Sequence, residues 1–338
     1  MTTYNKLIFS FLIAIVMIGS FASCVREYDP GFDDHVPKLN VNAVISPDTT
    51  ITFGVYLSRS TVDTNDVERL RGAIIDLYED GQKIETITEA VIQDSFLVYY
   101  DIGEERWEYY ESVSYTSTTE PIVGKNYRIE VNKSGYETAI AETHIPMQTP
   151  AVNPETDGLR LEEVDSGGGF TEKSIEGNLY VDIDDVAGEK NFYEFALYVT
   201  YIDSLFEYDE INQELIFDQL ISARQKISVE VSNSTTTSAS DNFGFDAPVS
   251  QFSDVRFDGQ RTRFSFRNIE AYIPTNDFEL ELEVRFVSEE YYNYFTSYDK
   301  YNYNQGNFLA EPVIVFNNIE NGYGIFAGYN LVVFPVEF

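Results

Sequence analysis

From residue 39 onward, apolar residues recur at every second position. In "LNVNAVIS" (39–46) they are Leu39, Val41 and Ala43, and in "TITFGVYLS" (50–58) they are Ile51, Phe53, Val55 and Leu57. A side-chain period of two belongs to a strand with one buried face and one wet face. The next segment, "AIIDLYEDGQKIETITE" (73–89), reads as a hairpin, with Asp80-Gly81 supplying the positive-φ residues of the turn. "SFLVYYDI" and "RWEYYESVSY" read as two more strands. "GKNYRIEVNKSGYETAIAETHIP" (124–146) adds another pair around Lys133-Ser134-Gly135. About eight short strands with turn signals every 8 to 12 residues predict a Greek-key β-sandwich, immunoglobulin-like or transthyretin-like, over residues 38–147.

Pro146, Pro150 and Pro154, followed by "DSGGG" at 165–169, predict a break. A second β-rich domain is expected over 148–338. "NLYVDIDDVAGEKNFYEFALYVTYI" reads as strand, acidic turn, strand, and "TRFSFRNIEAYI" and "FELELEVRFVS" alternate well. The period then changes. Tyr291, Phe295 and Tyr298 are helix-spaced behind Ser288, an N-cap residue, with Glu289 and Glu290 in the first turn. A short helix is therefore expected near 289–301, its Tyr291, Phe295 and Tyr298 facing the core. A second helix is expected within 204–225, from the spacing of Tyr208, Ile211 and Leu215. "EPVIVFNNI" (311–319) and "IFAGYNLVVFPVEF" (325–338) are expected to close the fold as strands. The chain as a whole is expected to be all-β: two β-sandwich domains with one or two short helices in the second.

The N-terminus follows other rules. Lys6 precedes an almost unbroken apolar run, Leu7 to Ile18. About twelve residues suit a signal peptide and fall short of the roughly 20 needed to span a bilayer. Small residues then lead to Cys24, the only cysteine in 338 residues. An exported chain carries paired cysteines or none, unless a lone thiol has another use. Small residues before a cysteine are what lipoprotein processing requires, although Phe21 stands where Leu is usual. Residues 1–23 are therefore expected to be a removed signal, Cys24 the lipidated first residue, and 24–37 an acidic tether. A firmly acylated N-terminus implies a globular body held at a membrane.

The net charge is -35, and losing Lys6 makes it -36. Such a charge repels nucleic acid, so no nucleic-acid partner is expected. His35 sits in the tether and His144 at the end of a strand, and there is no G-x-S-x-G, H-E-x-x-H or P-loop. Among 57 acidic residues, pairs of carboxylates are always available, so a hydrolase is the third reading. Asp182, Asp184, Asp185 and Glu189 in "DIDDVAGEK" offer calcium ligands, or a turn in which Asp caps amides and Gly188 takes positive φ. "DTNDVE" (63–68) is a weaker version. Seven rings fall within residues 291–303. Tyr292, Tyr294, Tyr301 and Tyr303 are expected to form the rim of a surface for a ligand or partner. Trp107, Tyr109 and Tyr110 form a second aromatic patch on a strand.

The order of these segments resembles a family. The lipobox, "KLNVNAVIS", the "YEDGQ" hairpin, "GKNYRIEVNKSGYETAIAETHIP", "FSDVRFDGQ", the tyrosine-rich helix and "NNIENGYGIFAGYN" are similar to Bacteroidetes-type outer-membrane lipoproteins of unassigned function. The resemblance implies a lipid-anchored protein of the outer membrane, encoded beside a TonB-dependent receptor and accessory to uptake. It supplies no catalytic residue. Glu27 and Asp29 just after Cys24 resemble a signal for display at the cell surface, although Arg26 interrupts them. The expectation is a non-enzymatic binding partner of such a receptor, with a structural or adhesion-type lipoprotein as the alternative.

Overall fold

Leu39, Val41, Ala43 and Ile45 are all buried, and the residues between them point outward. The computed structural model in which this packing is seen describes residues 35–47, 49–60, 69–92, 98–101, 106–109, 112–148, 151–167, 170–209, 214–233, 251–270, 277–305 and 310–337. Cys24, most of the tether, "DTNDVE" and Tyr110 lie outside the described residues.

The first half of the chain forms strands β1 (Leu39–Ile45), β2 (Thr52–Leu57), β3 (Ile74–Glu79), β4 (Gln82–Thr88), β5 (Ala90–Ile92), β6 (Val98–Asp101), β7 (Arg106–Tyr109), β8 (Ser112–Thr116), β9 (Asn126–Asn132) and β10 (Ala139–His144). The second half forms β11 (Ala151–Gly167), β12 (Phe170–Asp184), β13 (Phe192–Asp209), β14 (Glu214–Asn233), β15 (Gln251–Ser253), β16 (Arg261–Glu270), β17 (Phe278–Val287), helix α1 (Glu289–Asn304) and β18 (Tyr323–Pro335). The protein is all-β with a single regular α-helix among the described residues.

Two large cores hold it together. In the first, β1, β2, β8 and the start of β18 face the sheet β10-β9-β3-β4, burying Phe53, Tyr115, Tyr127 and Ile129 between them. The hairpin at Asp80-Gly81 is present, with Asp80 at φ 47° and Gly81 at φ 81°. In the second core, β11 to β17 surround Tyr193, Phe195, Phe257, Phe264 and Phe266. Here β14 leaves β13 after Ile227 and joins β16 from Ser228, so one strand serves two neighbours along its length. The last strand, β18, pairs parallel with β1 at its start and antiparallel with β17 at its end. Its Phe326 fills the first core although it follows the whole second half in sequence.

Several expectations are corrected. Within the stretch 204–225, the described residues, 204–209 and 214–225, are strand and not helix, and Ile211 lies outside them. Tyr208 and Leu215 are a cross-strand pair of the β13–β14 hairpin. A separation of seven fits both one helix face and one hairpin pair, and the pairing decides it. "DSGGG" leads into the tip of the β11–β12 hairpin instead of a linker. Pro154 lies within β11, the outer strand of its sheet, where a missing N–H is tolerated. "EPVIVFNNI" forms no strand. It runs beside α1, where Ser297 Oγ accepts from Phe316 N at 2.8 Å and Asn304 Nδ2 donates to the Glu311 carbonyl at 3.2 Å.

Candidate functional site

The tyrosine-rich helix starts as its sequence requires. Ser288 is extended, and its Oγ accepts from Tyr291 N at 3.3 Å. That hydroxyl is fully buried. It also accepts from Gly328 N at 3.3 Å and from the Thr143 hydroxyl at 3.3 Å, so the cap ties α1 to β18 and β10. Only the first turns dock. Tyr291 packs with Phe192, Val287, Ile325 and Ala327. Phe295 is half-buried against Tyr291, at 4.3 Å between ring centroids. Tyr298, expected in the core, is 41% exposed and stacks on Tyr294 at 6.0 Å. Tyr292, expected at the rim, stacks on Phe192 at 4.8 Å. Tyr294 is half-buried, while Tyr301 and Tyr303 are 42% and 46% exposed. The helix leaves the sheet after about two turns, so its later rings face outward whatever their phase. Ile314, on the segment beside it, is 90% exposed.

Beneath the docked turns lies an ion network that alternation marks as solvent-facing. Glu194 and Tyr198 on β13 and Glu283 and Arg285 on β17 occupy the outward positions of their strands, yet both glutamates are buried. Arg285 donates to Glu283 at 2.6 Å and to Glu194 at 3.3 Å. Arg224 donates to Glu283 at 2.7 Å and lies 3.8 Å from the Tyr198 ring. The Tyr291 hydroxyl donates to Glu194 at 2.5 Å. Burial and the neighbouring Glu194 push the Tyr291 phenol well above its ordinary pKa, so it remains a donor. Burial would lower the Arg285 pKa, but Glu194, Tyr291 and Glu283 outweigh it and keep the guanidinium charged. Two carboxylates around one guanidinium, with a second arginine at the edge, form a satisfied network. Local pattern shows no sign of it, because β13, with Glu194 and Tyr198, lies nearly a hundred residues before the helix and the strand end that meet it here.

The acidic residues of 182–189 are not brought together. Asp182 accepts from Arg263 at 2.6 Å and from Arg261 at 3.0 Å, and those partners hold its carboxyl down at about 2, Arg263 most strongly. Asp184 lies 3.9 Å from Arg261 on the same side, and Glu189 is exposed in the turn. Asp185 alone joins a cluster, with Asp254 and Asp258 from the turn after β15. One carboxylate oxygen of each lies within 4.8 Å of the others. The Tyr193 hydroxyl and Gly259 N donate to Asp185, Asn191 N donates to Asp254 at 2.7 Å, and Gly188 N donates to Asp258 at 2.7 Å. Burial raises the Asp254 pKa, and Asp185 and Asp258 add to it. Three carboxylates suit a hard cation such as calcium, but each already accepts a hydrogen bond that ties one turn to its neighbour. Trp107 and Tyr109 lie on β7, which pairs with β6.

The motif "NNIENGYGIFAGYN" is built into the fold. Asn317 spans the turn to Ile319 and Gly322. Asn318 donates to the Glu142 carbonyl at 3.2 Å and exchanges two bonds with Phe326. Asn321 takes φ 59° and donates to Thr138 O at 3.2 Å. Gly324 and Gly328 lie so close to Val41 O and His144 O that neither has room for a Cβ. The motif locks β18 against β1 and β10.

Fold and site thus define an all-β protein with two cores, a shared terminal strand and one half-docked aromatic helix. The chain belongs to the family described as a domain of unknown function (DUF4249), whose model matches residues 25–332. No curated protein matches it. Among solved structures, a biofilm associated protein B domain aligns over 88% of this chain and 85% of its own at 7% identity, with a TM-score of 0.14, too low to inform the fold. No helix among the described residues is long and apolar enough to cross a membrane.

Proposed function

We propose that the protein is a lipid-anchored binding protein of the outer membrane, held by Cys24, non-enzymatic, and accessory to a TonB-dependent receptor in a Bacteroidetes-type bacterium. The observation that carries the binding role is the outer half of α1. Tyr298, Tyr301 and Ile314 offer apolar area at one place on a strongly acidic molecule. Rings with a polar edge recur at recognition surfaces because they bury area and still bond at the rim. The anchoring role is supported by the isolated cysteine after a short apolar run.

The test has two arms. Cys24→Ser should release the protein from the membrane fraction and abolish incorporation of labelled palmitate. If it stays membrane-bound and labelled, the anchor is wrong. Tyr301→Ala with Ile314→Asp should leave the melting temperature unchanged and abolish co-purification of a β-barrel receptor from detergent-solubilised membranes. Unchanged co-purification would remove this surface from the proposal.

A further inference from the structure

Residues 311–319 have the composition of a strand and none of a strand's partners. "PVIVF" (312–316) sets three β-branched residues in a row. The chain runs through 311–319 without turn, bend or ladder, so it is extended. Its side chains alternate: Val313 and Val315 are half-buried, while Ile314 between them is almost wholly exposed. Both ends are fixed. Asn304 holds the Glu311 carbonyl and Ser297 the Phe316 amide. Asn317 and Asn318 tie the far end to the following turn and to β18, and Glu320 bridges Ile140 of β10. Between these anchors, the N–H and C=O groups of Val313, Ile314 and Val315 bond to no described residue.

In an extended chain the backbone groups of successive residues point to opposite edges. The Phe316 amide points at α1. Ile314 shares that edge, and Val313 and Val315 turn their donors and acceptors to the other. The second edge is that of a strand without its neighbour, and the anchors hold it straight before any partner arrives.

We propose that 312–316 is a strand-addition site, which takes one extended segment of a partner polypeptide along the edge of Val313 and Val315. The inference rests on the reading of Tyr298, Tyr301 and Ile314 as a recognition surface and gives that surface its mode. The partner's backbone pairs with Val313 and Val315, and its apolar side chains cover Ile314. Charge supplies the rest of the fit. Glu311 and Glu320, beyond the two ends, are exposed on a molecule of net charge -35, so the complementary segment alternates apolar and basic residues. A second copy of this chain would bring an equal negative charge against the first, which disfavours it as occupant.

The test uses the full chain and the peptide KVKVKVK. In the free protein, the Val313 and Val315 amides should exchange hydrogen at least about tenfold faster than those in the centre of β18. The peptide should slow both about tenfold, saturably, by about 1 mM. The same peptide N-methylated at alternate residues keeps its side chains and charge and should slow neither. Val315→Pro removes a donor that bonds to nothing described in the fold, at a place where the chain is already extended. It should leave the melting temperature unchanged and abolish both the protection at Val313 and co-purification of the β-barrel receptor. Strand addition is overturned if the peptide protects neither amide, or if the N-methylated peptide protects as well as its parent. It is overturned equally if Val315→Pro still captures the receptor while Tyr301→Ala with Ile314→Asp does not, a result that keeps the surface and removes only its mode. Unchanged capture by both variants removes the surface and this inference with it. Protection that rises with the protein's own concentration, without peptide, overturns it in favour of a second copy on this edge.

Discussion

At the scale of single residues, two kinds of position carry consequences that charge and size alone do not show. Gly324 has φ 113°, and any Cβ there would press on Val41 O of the paired strand. Gly324→Ala should therefore cost about 2–4 kcal/mol, through the conformation and the clash together. Urea unfolding should show that loss, while Gly135→Ala, also at positive φ but facing open space, should cost about 1 kcal/mol. Asp182 and Asp254 should respond to pH with opposite signs. The Asp182 carboxyl titrates lower in the folded state than in the unfolded chain. Its stabilisation is thus present above the unfolded value and lost as pH falls from about 4 towards 2. Asp182→Asn should cost about 1–2 kcal/mol at pH 7 and almost nothing at pH 2. Asp254 titrates higher in the folded state, so its charge opposes folding above that range and the penalty disappears on acidification. Asp254→Asn, whose amide oxygen still accepts from Asn191 N, should raise the melting temperature at pH 7 measured in chelator. A loss of stability there would mean that the carboxylate charge is used.

At the scale of elements, α1 is a helix by its sequence and docks by its position. Arg285→Ala would leave Glu194 and Glu283 buried beneath it without their shared cation, and should cost about 3–5 kcal/mol. Arg285→Met paired with Glu283→Gln and Glu194→Gln should recover much of that, as thermal melts would show. Phe295→Ala should cost about 2–3 kcal/mol, because the ring is only partly enclosed. Most strands of the first core, and β12, β16 and β17 of the second, were legible because alternation is a local signal, whereas β11 and the outer half of the β13–β14 hairpin were not. The cap at Ser288 was legible because capping chemistry is local too. The ion network was not, since Glu194 looks like an ordinary outward residue until Arg285 and Tyr291, some ninety residues on, come to meet it. The acidic turn was half legible. Asp185 was singled out, but its partners Asp254 and Asp258 lie some seventy residues on, in a turn that nothing in "DIDDVAGEK" announces. Tyr298 shows the limit of periodicity, which fixes the phase of a helix and not how far the helix remains in contact.

At the scale of the whole molecule, one strand joins a core built largely from residues before 150 to a core built from residues after it. A fragment spanning 38–147 would lack Phe326 and Ile319 from its core and leave β1 without its parallel neighbour. It should fold at best weakly. Adding a peptide of residues 317–330 should restore its sheet signal in circular dichroism and raise its melting temperature. A fragment as stable as the intact chain without that peptide would show that β18 is dispensable to the first core.

The same strand sets the order of events during synthesis. Ala43 pairs with Phe326, so the first core cannot close until the residues around 326 have been made. Contacts of such sequence separation form late, because a long loop must be closed before they are gained. A growing chain of this protein is thus kept from completing its first core while it is still being extended. A chain truncated anywhere before residue 323 keeps an open sheet edge and an unfilled core, so proteases can recognise the incomplete product by its shape alone.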